Sequence, residues 1–262
     1  MKKITRIITG NEQLFIRVVL FAAFLGHGLV SLHASEGYEL HYSIFSSVNI
    51  FHLDVDKTLM AAGICDIIIG IIFLLNTGLK YIAPAAILYL LGVGISGGIY
   101  FMDKTGDLFG IAELFRRVPW MFCAFFLWLI VFKEQKHHYL LRMGIAFAFF
   151  AHGLASLGFF GLRGGHVELA SKVLTEESAS KFVYYSGISD SILGLMLFSG
   201  LASRFAAVIG TLWLAFVVFL SAQVGIPEAI FRVGFFLMCL FVAIDMRCHK
   251  WKYEKLIPLK SS

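Results

Sequence analysis

The chain has 262 residues, of which 59% are hydrophobic and only 15% charged, and its formal net charge is +5. A soluble domain carries roughly 25% charged residues. The composition therefore excludes a cytosolic enzyme, a disordered chain and a secreted disulfide scaffold, and leaves an integral membrane protein with almost no soluble part.

A spanning helix needs roughly 20 mostly apolar residues, and the chain offers eight such stretches. The first, 14–32, follows a basic start (Lys2, Lys3, Arg6) and contains RVVLFAAFLGHGLVSL. It is not a cleaved signal peptide, because a near copy recurs deep inside the chain. A long loop, 33–57, carries His33, His41 and His52 near Glu36, Asp54 and Asp56. Their spacing fits no compact metal motif, and no metal is expected. The second stretch, 58–77, contains GICDIIIG; the third, 81–101, contains GVGISGG at 92–98. That glycine pattern resembles a dinucleotide fingerprint, but it sits inside a hydrophobic span with no preceding strand. It is expected to let helices approach closely. The fourth stretch, 114–132, follows the opening Glu113-Leu-Phe-Arg-Arg117-Val118.

The polar linker Lys133–His138 comes next, and the pattern then restarts. The fifth stretch, 139–159, contains RMGIAFAFFAHGLASL, identical to residues 17–32 at eight of sixteen positions with a constant offset of 125. A second long loop, 158–182, leads to stretch 183–201, where GISDSILG matches GICDIIIG at five of eight positions. Stretch 204–222 matches the third in hydrophobicity alone. Stretch 230–247 follows a second Glu-x-x-x-Arg-Val at 228–233 and ends in a basic tail. No window alternates with the period of a β-barrel. The expected fold is thus an all-α integral membrane protein with eight transmembrane helices, arranged as two parallel four-helix repeats. Residues 1–132 form the first repeat, 133–138 a cytoplasmic linker and 139–262 the second. An even number of helices per half gives both repeats the same orientation. With the N-terminus inside, most of the 22 Lys and Arg residues fall on the inner side, as the positive-inside rule requires. Both termini are then cytoplasmic. His137, His138 and His249 flank that inner surface and are expected to be solvated. The four cysteines (Cys65, Cys123, Cys239, Cys248) form no paired motif.

Polar groups inside a bilayer are costly and usually face the bundle interior. From the helix rise, His27 lies about 8 Å and Asp66 about 13 Å below the outer rim. Glu113 and Arg117 sit at the outer end of the fourth helix. The candidate site of the first half is His27, Ser31, Asp66, Glu113 and Arg117; that of the second is His152, Ser156, Asp190, Glu228 and Arg232. His27 and Ser31 are four apart on one helix face, so Ser31 is expected to orient the imidazole. Glu113 with Arg117, and Glu228 with Arg232, are spaced for pairing. Gly63, Asp66 and Gly70 share a stripe that draws a neighbouring helix to the carboxylate. The long loops are expected to fold over these sites as lids. Such groups serve either as helix-tying hydrogen bonds or as a ligand, proton or redox site.

An arginine opening the first helix, a His-Gly near its outer end and a G-x-x-D-x-x-x-G second helix resemble the DoxX-like family of small bacterial membrane proteins. The resemblance rests on Arg17, His27, Gly28, Gly63, Asp66 and Gly70, and again on Arg142, His152, Gly153, Gly187, Asp190 and Gly194. The chain looks like a fused tandem of two such units. Many members carry a lysine four residues after the histidine, where this chain has Ser31 and Ser156. The resemblance implies a membrane redox association and, together with the charge bias, the bacterial inner membrane. With the outer-half His/Asp/Arg cluster in an aromatic-rich bundle, the leading expectation is a redox-associated subunit handling a quinone or a small sulfur compound at the outer half of the membrane. A redox partner protein and the lipid bilayer are the implied partners, and nucleic acid is not one. A haem held between His27 and His152 is a variant of this reading. A transporter or channel for a small solute, and a non-enzymatic assembly protein, are the alternatives.

Overall fold

The computed structural model describes residues 11–34, 38–49, 52–105, 109–134, 136–159, 163–223 and 225–249. The side chains of 48, 101–105, 109–113, 163–165 and 169 lie outside that description. The described residues form ten α-helices: α1 (Glu12–Ser31), α2 (Tyr38–Val48), α3 (Val55–Leu75), α4 (Leu79–Thr105), α5 (Phe109–Lys133), α6 (Tyr139–Ser156), α7 (Arg163–Ser171), α8 (Glu176–Ser199), α9 (Ser203–Ala222) and α10 (Ile226–Ile244). A 3₁₀ turn, Met246–His249, follows. Eight of the described helices, all but α2 and α7, are long and apolar enough to cross a membrane. The protein is an all-α membrane protein in contact with the bilayer. Its outward faces carry large apolar side chains such as Ile68, Leu75, Leu88, Leu195 and Leu212.

The helix ends follow from local chemistry. Asp54 caps α3 by accepting from the Lys57 amide at 3.0 Å, and Thr175 caps α8 through the Ser178 amide. Such caps satisfy amides that have no partner within the helix. The largest boundary difference from the sequence expectation is here. α8 begins at Glu176 rather than near 183, because the Thr175 cap and two acidic residues in the first turn support two polar turns outside any apolar window. α3 and α8 both end on a left-handed residue, Asn76 and Gly200, which are 124 positions apart.

The tertiary packing interleaves the two halves. α1 packs on α3 and α10; α6 packs on α8 and α5. The last helix of each half thus lies against the first helix of the other. One apolar core runs through both, from Ile16, Leu20 and Trp120 to Leu141, Ile145 and Phe241.

The bundle end that holds Glu12 is knitted by charge. Glu12 is met by Lys136 at 2.6 Å, His138 at 2.9 Å and Arg247 at 2.7 Å, and Arg247 also holds Asp245 at 2.7 Å. His138 is buried in this network rather than solvated. His249 likewise is not free in solvent: its ring lies 2.7 Å from Ser203 Oγ and donates to the Val242 carbonyl at 2.7 Å. Both were expected at a hydrated surface. Linker, first helix and last turn converge there, and the carboxylates attract them inward. Glu12, His138 and Asp245 are close enough together to ligate a cation, but Lys136 and Arg247 already balance the two carboxylates.

Candidate functional site

The site grows from two close helix contacts. Gly28 on α1 faces Gly63 on α3; a Cβ at either position would come within 2.6–2.8 Å of the other's carbonyl oxygen. Gly153 and Gly187 make the same contact between α6 and α8. Only residues without side chains allow backbones this near. The carboxylate one turn along is thereby pressed against the neighbouring helix. His27 Nδ1 donates to Asp66 Oδ2 at 2.7 Å, and His152 Nδ1 donates to Asp190 Oδ2 at 2.7 Å. Both carboxylates are buried, at 0% and 1% exposure. In each, the second oxygen, Oδ1, accepts no hydrogen bond.

The two short helices bring a second histidine to each site. His41, on α2, lies over His27 with ring centroids 4.7 Å apart; His166, on α7, lies over His152 at 4.5 Å. Ser31 Oγ is 2.9 Å from His41 Nδ1, and Ser156 Oγ is 2.8 Å from His166 Nδ1. The serines therefore hold the second histidine and do not orient the first. Ser31 also donates back to the His27 carbonyl at 3.2 Å, the usual recourse of a hydroxyl within a helix. Burial, together with His27 and Arg117, lowers His41 to about 2. Burial next to His152, Arg116 and Arg232 likewise takes His166 well below its ordinary range. Both are neutral imidazoles at neutral pH.

Arginines complete the sites. Arg117 lines the first, with Tyr89 from α4 and Phe231 from α10. Arg232 lines the second, with Trp213 from α9 and Arg116 from α5. Arg232 pairs with Glu228 at 2.6 Å, as the four-residue spacing implies. The Glu113 side chain lies outside the described residues. Because of the interleaved packing, Arg116 belongs to the first half yet serves the second site, while Phe231 does the reverse.

All the sequence-derived candidates with described side chains thus gather into two clusters. His166, Tyr89, Arg116, Trp213 and Phe231 are additions. The signal for His166 was present: it follows His41 by 125, the same offset that relates His27 to His152. The first-loop histidines do not assemble. His41 turns into the site, while His33 stays at the rim, 3.8 Å from Asp56. His27 and His152 line separate cavities, with Phe231 lining one of each.

Each cluster sits on a cavity. That of the second half encloses about 140 Å³ between α5, α6, α9 and α10. Beside the first-half cluster lie a pocket of about 10 Å³ and a larger one of about 330 Å³. A histidine donating through Nδ1 to a carboxylate keeps Nε2 available to exchange a proton, and the carboxylate stabilises the resulting imidazolium. A proton-coupled reaction of a small, partly apolar ligand is chemistry this arrangement can perform.

Residues 138–223 match the family model described as DoxX. The match covers α6 to α9 and so includes His152, Ser156, His166 and Asp190. No curated protein and no solved structure matches the chain.

Proposed function

We propose that this membrane protein with a DoxX domain is a redox-associated subunit of the bacterial inner membrane that binds a quinone at its His–Asp clusters, in the outer half of the bilayer. The observation that carries this reading is the buried His27–Asp66 pair, with its counterpart His152–Asp190, each at the wall of an aromatic-lined cavity that also holds arginine. A hydroquinone hydroxyl would donate to His27 Nε2. As the ring is oxidised it gives up two protons with its two electrons: one moves onto that nitrogen, where Asp66 offsets the new positive charge, and the proton of the second hydroxyl passes to water at the outer face. Arg117 stabilises the developing phenolate oxygen. The electrons pass to a partner redox protein. The positive-inside charge bias supports putting the Glu12 end on the cytoplasmic side, which leaves the histidine clusters toward the outer face.

A small sulfur compound is the second ligand class this reading admits, because Arg116 and Arg232 converge on the second cavity and suit an anion. The two are separated by reconstituting the full chain in nanodiscs and measuring binding of a benzoquinone headgroup and of a sulfur oxyanion. Quinone handling requires that His27→Gln weaken headgroup binding at least tenfold. If His27→Gln and His152→Gln together leave headgroup binding and quinone-linked turnover unchanged, the reading is wrong. Uptake of solute into vesicles that depends on Asp66 would favour a transporter, and a tightly co-purifying protein without ligand would favour an assembly role.

A further inference from the structure

The glycine stretch 92–98 divides its work. Gly94 is pressed on α5: a Cβ there would lie 3.2 Å from Leu114 Cα and 3.6 Å from Arg117 Cγ. Gly92 makes no such approach, since a Cβ at that position would meet nothing within 4 Å. The expected close helix contact therefore holds for one glycine and fails for the other. Gly92, Val93, Ser96 and Gly97 instead line the 330 Å³ cavity, across from Leu59 and Ala62 of α3. Its inner end is polar, with His27, Ser31, His41 and Arg117; its flanks are apolar. Gly92 is itself exposed on the outward face of α4, so the cavity reaches the lipid-facing surface along the α3–α4 seam.

The second half shows what closes such a seam. At the offset of 124 that aligns Asp66 with Asp190, Thr58 becomes Phe182, Tyr89 becomes Trp213, Gly92 becomes Phe216 and Ser96 becomes Leu220. Phe182, Trp213 and Phe216 form a mutual cluster across α8 and α9, with centroids 5.7–6.3 Å apart. The second cavity lies on the other side of this aromatic seal, facing α5 and α10. The two halves thus differ in what stands at this seam: small residues on α4 in the first, an aromatic cluster in the second.

We propose that the first half is a lateral portal for a membrane-borne amphiphile, whose apolar chain lies between α3 and α4 along Gly92, Ser96 and Gly97 while its hydrogen-bonding head reaches His27, His41 and Arg117. The inference rests on the quinone reading and adds to it the half that takes a tailed ligand and the route it follows. A soluble, tailless compound has no need of a slot open to lipid. An amphiphile cannot leave the bilayer at low cost, since every methylene withdrawn into water is penalised.

The test uses the full chain in nanodiscs and two probes: a benzoquinone with a ten-carbon tail bearing a photoactivatable diazirine, and the same headgroup without the tail. The tailed probe is expected to label α3 and α4, around Leu59–Ala62 and Val93–Gly97, and to leave α8 and α9 unlabelled. Gly92→Phe, which copies the second half, should reduce that labelling at least tenfold more than it reduces tailless binding. Phe216→Gly should bring new labelling to the α8–α9 seam. Equal labelling of both seams, or labelling indifferent to Gly92→Phe, overturns the portal. If tailless binding still depends on His27 in that case, only the portal falls; if neither probe binds the unaltered chain, the quinone reading falls with it.

Discussion

The two halves of the molecule keep the same His–Asp–Ser–His cluster and differ in almost everything that surrounds it. The hydrogen bonds agree to within 0.1 Å between copies. The neighbours do not: Tyr89 stands where the other half has Trp213, Gly92 where it has Phe216, and Phe231 where it has Arg116. Tyr38 bonds Asp56 at the rim of the first half, whereas the aligned positions of the second half hold Arg163, at the offset of 125, and Ser180, at the offset of 124. The difference teaches that the polar cluster is one chemical unit common to both halves, while the residues and charge that surround it differ between them. The larger cavity beside the first cluster is lined by Gly92, exposed on the outward face of α4. The cavity of the second cluster is lined by two arginines, Arg116 and Arg232.

The sharpest way to break this comparison is to disable one carboxylate at a time. Asp66→Asn should lower turnover of a tailed hydroquinone about 100-fold, roughly 2.7 kcal/mol at 1.36 kcal/mol per tenfold, while Asp190→Asn should cost less than tenfold. Equal losses would mean the two sites act as equals and would remove the division of labour.

The glycines give the next effect, and it has opposite signs. Gly28→Ala forces a Cβ to within 2.6 Å of the Gly63 carbonyl and should destabilise the protein by about 1–3 kcal/mol. Gly92→Ala meets nothing within 4 Å and should stabilise it by about 0.5–1 kcal/mol through lower unfolded-state entropy. Thermal melting in detergent distinguishes the two.

The histidine lids sharpen the comparison through pH. His41 falls from about 6.5 to about 2 on folding, so between those values the undocked state binds the extra proton. Docking of α2 is therefore complete above pH 6.5 and weakens as pH falls below it. His166 shifts in the same direction, so α7 should loosen over the same range. Hydrogen exchange of α2 and α7 amides at pH 7 and pH 5 should show faster exchange at the lower pH, and His41→Phe should remove the effect from α2 alone.

The smallest effect belongs to an ion pair outside the clusters. Glu177 and Lys181 lie 2.6 Å apart but are largely exposed, at 81% and 69%. Lys181→Ala should change the melting stability by no more than about 0.5 kcal/mol. A larger change would show that α8 depends on its polar first turns as well as on its apolar seam.

Much of the site was legible in the sequence because it depends on local spacing. His27 and Asp66 were found by their repetition at near-constant offsets and by their depth in apolar segments. The Glu228–Arg232 pair followed from the helix period. His41 was misread as part of a loop because a short helix of mixed polarity leaves little periodic signal, and its role needs Ser31 and His27 beneath it. His138 was misread because its burial depends on Glu12 and Arg247, more than 100 positions away in either direction.

What the sequence determined alone is the class and the chemical unit. Apolar runs long enough to span a bilayer must be helices there, since unpaired backbone groups are too costly in hydrocarbon, and repeated motifs must form equivalent local contacts. What only the tertiary structure decided is which helices meet. α5 lies on α6 and α10 on α1, so Arg116 and Phe231 cross to the other half's site. Whether a glycine is pressed on a neighbour, as Gly94 is, or opens a cavity, as Gly92 does, is decided the same way. Helix pairing is settled by side-chain packing summed over whole helix faces, and no single segment contains that sum.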